Sequence, residues 1–103
     1  MLFRSDLRAA RAGQPVVIVT SEGGDWLDGK IERLDEAYQR WQLRQLQLTH
    51  YRPNELGDIQ TEPSVHGGLT AFGADVIRRC NRLGVVVDVA HGTFRSEEHT
   101  SEL

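Results

Sequence analysis

The chain has 103 residues, of which 39% are hydrophobic and 26% charged, and its formal charge is −3. That composition fits one globular domain at most and excludes a disordered or fibrous chain. It offers no basic field for nucleic acid and no apolar run near the ~20 residues a membrane crossing needs, and with Cys80 the only cysteine it can form no internal disulfide or cysteine-based metal site.

Met1-Leu2-Phe3-Arg4 lacks the basic start and apolar stretch of a secretory leader, and with the single thiol this points to a reducing, cytoplasmic setting. Ser5 is placed to cap a short helix running through Leu7 and Ala10 to Gly13. Gln14-Pro15 breaks it, and the β-branched run Val16–Thr20 reads as a strand. Asp28 stands as N-cap before an amphipathic helix whose Ile31, Leu34, Tyr38 and Trp41 recur at helical spacing. Leu43–Thr49 alternates leucines with polar residues and ends at His50, as a strand would. Tyr51–Gly68 has no period and reads as a long loop, of the kind that is usually functional or disordered. Thr70 caps the next helix, with Phe72, Val76, Cys80 and Leu83 on one face and Gly84 as its left-handed stop. Val85–Val89 follows as another strand.

Arg95–Leu103 (RSEEHTSEL) shows no apolar period and no turn linking it to what precedes. It reads residue for residue like translated sequencing adapter and is set aside as a non-native tail, leaving 1–94 to carry the fold. Most of the chain's acidity lies in this tail, and His99 is discarded with it as a ligand candidate.

The alternation of helix and strand predicts the α/β class, with about three parallel strands joined by crossover helices. Glu22 lies two residues past the first apolar run, His50 just after the second, and His91 two residues past the third. The C-terminal ends of parallel strands share one face, where catalytic residues of a β/α barrel converge. A carboxylate and two imidazoles there suit a first-row metal such as zinc. Singly, each has an ordinary reading: Glu22 as a solvated acid in a Gly-rich turn, His50 as a loop histidine bonded to backbone, His91 at a helix start. Their coincidence on one face puts a shared site on an equal footing with these ordinary readings, and spacing alone does not decide between them. His66 reads as a solvated loop residue, Asp25 as part of a turn, and Cys80 as core. Asp88, inside an apolar strand, either orients a ligand or accepts backbone bonds. Gly23-Gly24 is at most a faint phosphate cradle, without a supporting glycine motif.

Three stretches are similar to the membrane (renal) dipeptidase family: SEGGDWL (Ser21–Leu27), LQLTH (Leu46–His50) and GLTAFGADVIRRCNRLGVVVDVAH (Gly68–His91). The resemblance implies a partial TIM-type β/α barrel, and an enzyme that in full length holds two zinc ions and hydrolyses dipeptides. By position, Glu22 resembles the carboxylate that bridges the zincs, His91 a histidine ligand of one of them, and His50 the histidine that contacts substrate. The family's His-x-Asp pair, a further zinc histidine, a substrate-binding arginine and a late aspartate are not in this sequence. The loop Tyr51–Gly68 looks like a bacterial version. The resemblance admits a homodimer of the full-length enzyme. It leaves two other readings: a related barrel metal-dependent amidohydrolase acting on other amides, and a metal-free fragment with no activity, which is the expectation for these 103 residues alone.

Overall fold

A computed structural model describes residues 2–103 of the chain; Met1, the first residue of the leader reading, lies outside them. Helix α1 (Leu2–Arg11) begins ahead of Ser5, so Ser5 sits within its first turns instead of capping it. Gly13, at φ 88, closes the helix as the left-handed residue a C-terminus favours, while the Gln14 N–H donates to the Ala9 carbonyl.

Strand β1 (Val19–Glu22) starts later than the apolar run that announced it. A strand persists only where a neighbour completes its ladder. Its neighbour β2 (Leu43–Gln47) opens at Leu43 opposite Val19, directly after the left-handed residue Gln42 that ends the preceding helix. Val16–Ile18 therefore has no ladder to join, and Val17 is 86% exposed. The delay makes Glu22 the last residue of the strand, not a loop residue beyond it.

Asp28 does not cap the first long helix. It ends a 3-10 turn (Asp25–Leu27) in the left-handed region at φ 51, and α2 (Glu32–Trp41) starts from Ile31 without a side-chain cap. Helix α3 (Ala71–Leu83) follows its sequence signals closely. Thr70 accepts from the Gly73 N–H at its start, and Gly84 at φ 86 stops it. Strand β3 (Val86–Asp88) is shorter than the apolar run around it.

The sheet order is β1-β2-β3 with both pairings parallel, and α2 and α3 are the crossovers. The core joins Leu34 and Ala37 of α2, Val76, Ile77 and Cys80 of α3, and Leu43 and Leu46 of β2, closed by Leu27, Leu48, Leu56 and Val85. Arg79 of α3 and Asp35 of α2 form a half-buried ion pair between the crossover helices. Central β2 also buries Arg44, whose guanidinium lies 4.2 Å from the Tyr38 ring centroid and donates to the Tyr38 and Leu43 carbonyls. Among the described residues no helix is long and apolar enough to cross a membrane.

Two segments hold more structure than their sequences announce. The loop from Tyr51 to Gly68 makes antiparallel bridges from Gly57 to Leu69 and from Ile59 to Gly92, and it buries Leu56, Asp58 and Ile59. The segment set aside at the C-terminus forms α4 (Phe94–Ser101), because Thr93 caps it by accepting from the Ser96 N–H and Ser96 is buried. His99 of this helix accepts from the Leu69 N–H through Nδ1.

Candidate functional site

Glu22 ends β1 opposite Gln47, so its side chain leaves the sheet at the C-terminal rim. The turn that follows is fastened locally: Trp26 Nε1 donates to Ser21 Oγ at 2.8 Å and to the Gly23 carbonyl at 3.1 Å, and Ser21 Oγ donates to the same carbonyl. Gly23 is at φ 91, and a Cβ there would meet Asp25 Oδ1 at 3.4 Å and the His50 Cβ at 3.6 Å. The pair Gly23-Gly24 thus lets the turn close against the end of β2, where the Gly24 N–H donates to the Leu48 carbonyl at 3.0 Å. The glycines serve this approach.

His50 follows β2 on the same rim. Its Nε2 lies 3.8 Å from Glu22 Oε2, and its ring centroid lies 4.8 Å from that of His91, edge to face. The His50 side chain is 19% exposed and the Glu22 side chain 74%. His91 comes after β3 at φ 67, a left-handed conformation that is uncommon for a residue with a Cβ. The long loop braces it there: the Gln60 N–H donates to the His91 carbonyl at 3.0 Å, beside the Ile59–Gly92 bridge. The fold therefore brings Glu22, His50 and His91 to one rim. Among the described residues, no group of three or more His, Cys, Asp or Glu side chains is arranged to hold a metal ion.

A cleft of about 430 Å³ opens beside this rim, lined by Glu22, Trp26, His50, Tyr51 and Arg52 among others. At its edge the Asp25 carboxylate accepts from Arg52 Nε at 3.1 Å and from Asn54 Nδ2 at 2.7 Å. Asp25 thus does more than serve its own turn. Asp88 accepts from the Ala90 N–H at 2.9 Å and from Gln45 Nε2 at 3.1 Å. His66 stays in the exposed loop, its Nε2 2.8 Å from the Asn54 carbonyl.

Two residues escaped the sequence reading. Asp58 is fully buried, and its carboxylate accepts from Ser64 Oγ and from the Val65, His66 and Gly68 N–H groups. Burial alone would raise its pKa, but the hydrogen bonds from Gly68, Val65, Ser64 and His66 outweigh that and hold it well below the usual carboxylate range. Asn54 donates to the Leu48 carbonyl as well as to Asp25, and its Oδ1 accepts from the Leu56 N–H. The only signal for either was the length of the loop itself.

A family model described as membrane dipeptidase (peptidase family M19) matches residues 4–100. Dipeptidase tcpJ of Claviceps purpurea is 31% identical over 86 residues, covering 82% of this chain and 20% of that protein. An uncharacterised protein of Acinetobacter calcoaceticus is 33% identical over 92 residues, covering 84% of the chain and 29% of that protein. A metallopeptidase from Rhodobacter sphaeroides, solved with a phosphinate mimic of the dipeptide L-Ala-D-Ala, superposes with a TM-score of 0.82 at 24% identity, covering 96% of this chain and 30% of the other. An amidohydrolase from Pseudomonas aeruginosa gives 0.78 at 20% identity over 91% of this chain and 28% of that one. The structural likenesses establish the fold, and the chain spans less than a third of the length of each of these proteins.

Proposed function

The chain belongs to the membrane dipeptidase family, peptidase family M19, and on that premise we propose that it is part of a metal-dependent dipeptidase in which Glu22, His50 and His91 form one wall of the active site. The observation that carries this reading is the meeting of these three side chains at the C-terminal rim of a parallel sheet. At that rim, β/α enzymes place their chemistry.

The donors fit a pair of zinc ions in kind. Glu22 is a largely exposed carboxylate facing an open cleft and would hold a divalent cation, and His91 offers a borderline-soft nitrogen. They do not fit in number, since a catalytic zinc takes about three protein ligands. The remaining ligands are assigned to parts of the full-length protein beyond this chain. Bound divalent cations supply an acidified water and polarise a carbonyl. The chain's own residues hold and orient. Glu22 and His91 would serve as ligands, and His50, partly sheltered and within 3.8 Å of Glu22, would donate a hydrogen bond to the substrate oxygen as it gains charge. We place the substrate in the cleft of about 430 Å³ beside Glu22 and His50.

A second reading, hydrolysis of other amides on the same rim, is favoured by the likeness to an amidohydrolase. The test is to strip the full-length protein of metal, restore it with zinc, and assay dipeptides against N-acyl amino acids and cyclic amides. Zinc-restored turnover of dipeptides, at two ions per chain, is expected. Turnover confined to the other amides replaces the first reading with the second.

A further inference from the structure

The carbonyl oxygen of Leu48 accepts two hydrogen bonds from different parts of the chain. The Gly24 N–H reaches it at 3.0 Å from the turn after Glu22, and Asn54 Nδ2 reaches it at 2.8 Å from the loop after His50. The same Asn54 amide donates to Asp25 Oδ1 at 2.7 Å, and Asp25 adjoins Gly24. These contacts close a ring: Leu48, Asn54, Asp25, Gly24 and back to Leu48. Glu22 lies just outside the ring on one side, and His50 lies on the segment that Asn54 folds back onto Leu48.

From this ring we infer that Asn54 is a positioning residue that fixes His50 against Glu22; the inference rests on the proposed dipeptidase reading. Asn54 is suited to it because its carboxamide carries two N–H groups and one carbonyl. Its Nδ2 serves both the Leu48 carbonyl and the Asp25 carboxylate, while Oδ1 accepts from the Leu56 N–H at 2.8 Å and fixes which way the amide points. Aspartate would set a carboxylate against the Asp25 carboxylate and the Leu48 carbonyl, three acceptors with no proton between them. Leucine or alanine would leave the Leu48 carbonyl with the Gly24 bond alone. The Asn54 backbone carbonyl also meets His66 Nε2 at 2.8 Å, and the neighbouring His66 N–H is held by Asp58, so the clamp is tied to the buried carboxylate of the loop. Asn54 touches no reacting atom. It acts through the placement of His50, so its loss falls on the chemical step and spares metal binding.

The experiment uses the full-length zinc-loaded protein. Asn54→Ala is expected to lower kcat on dipeptides by about 10- to 100-fold, the size of effect an ångström of misplacement produces, with KM within about twofold because binding energy common to ground and transition states is untouched. Zinc content and Tm are measured alongside. Asn54→Asp is expected to be at least as slow as Asn54→Ala, because its carboxylate meets the Asp25 carboxylate and the Leu48 carbonyl with no proton to share. An unchanged kcat in Asn54→Ala overturns the inference. So does a kcat loss matched by equal loss of zinc and of folded protein, or an Asn54→Asp protein clearly faster than Asn54→Ala. A wild-type protein that turns over no dipeptide overturns the underlying reading, and this inference with it.

Discussion

Glu22 Oε2 and His50 Nε2 lie 3.8 Å apart although one residue ends β1 and the other follows β2. Parallel pairing of Glu22 with Gln47 sets them at the same level of the rim. In the full-length protein the two should fail differently. Glu22→Gln is expected to lose metal and hydrolysis together, because a neutral amide does not bridge two cations as a carboxylate does. His50→Ala should keep its metal and lose about 10²- to 10³-fold in kcat, the cost of one donor to a developing oxyanion. Metal analysis beside steady-state kinetics separates the two. A Glu22→Gln protein with full zinc and normal rates would remove the bridging role.

Asp58 gives the long loop a pH dependence with a definite sign. Its carboxyl is held below the ordinary value of 3.8, so the charged form contributes stability fully above that pH. As pH falls below 3.8 the unfolded chain takes up the proton first, and the contribution is gone once pH passes below the folded pKa. Asp58→Ala leaves the Val65, His66 and Gly68 N–H groups short of an acceptor. It should cost about 1–3 kcal/mol at neutral pH and flatten that acid limb. Urea titrations of both proteins from neutral pH into acid measure this; an acid limb of the same slope in the variant refutes it.

Legibility in the sequence followed periodicity. Helical spacing puts Leu34, Val76 and Cys80 in the core, and cap chemistry at Thr70 and Gly84 bounds α3, because those signals are local. Glu22, His50 and His91 could be put on one rim because parallel strands share a direction. Where an outcome depended on a distant partner, the sequence was silent. Val16–Ile18 has every strand propensity but no neighbour, and Asp58 reads as a loop acid until the chain folds Ser64–Gly68 around it. Arg95–Leu103 shows no apolar period and reads like translated adapter, and the helix it forms depends on the Thr93 cap and on burying Ser96.

Cys80 faces the core from α3 with no exposed surface, and burial pushes its thiol up to about 12. The thiolate is the reactive form. In native full-length protein Cys80 is therefore expected to resist a disulfide reagent at neutral pH and to react at once in denaturant. Prompt labelling under native conditions would show that α3 opens and contradict the burial of Cys80.

The three-stranded sheet leaves β1 and β3 as edges, with Val17 86% and Val86 47% exposed. Unpaired parallel edges with apolar neighbours recruit other chains. The 103-residue chain expressed alone should associate, hold zinc below one ion per chain, and leave dipeptides intact. Sedimentation and metal content decide this; a monomer with a cooperative transition and stoichiometric zinc would contradict it.

Gly73 lies near the start of α3, where the helix passes the loop most closely. A Cβ there would run into the Leu56 carbonyl oxygen, with the Leu69 Cδ1 at 2.8 Å and the Leu56 carbonyl carbon at 3.0 Å. The Leu56 carbonyl has no freedom to withdraw, since it accepts from the Thr70 N–H at 2.8 Å and its residue is buried. Two effects of Gly73→Ala oppose each other. Alanine favours a helix over glycine by about 1 kcal/mol, whereas forcing a methyl into a packed contact costs about 1–3 kcal/mol. With backbone and not a flexible side chain in the way, the clash should win, and the variant should unfold at lower urea than the parent. The displaced Leu56 also carries the N–H that orients the Asn54 amide, so kcat should fall with stability. A Gly73→Ala protein as stable as the parent would mean that α3 and the loop do not approach as closely as the structure has them.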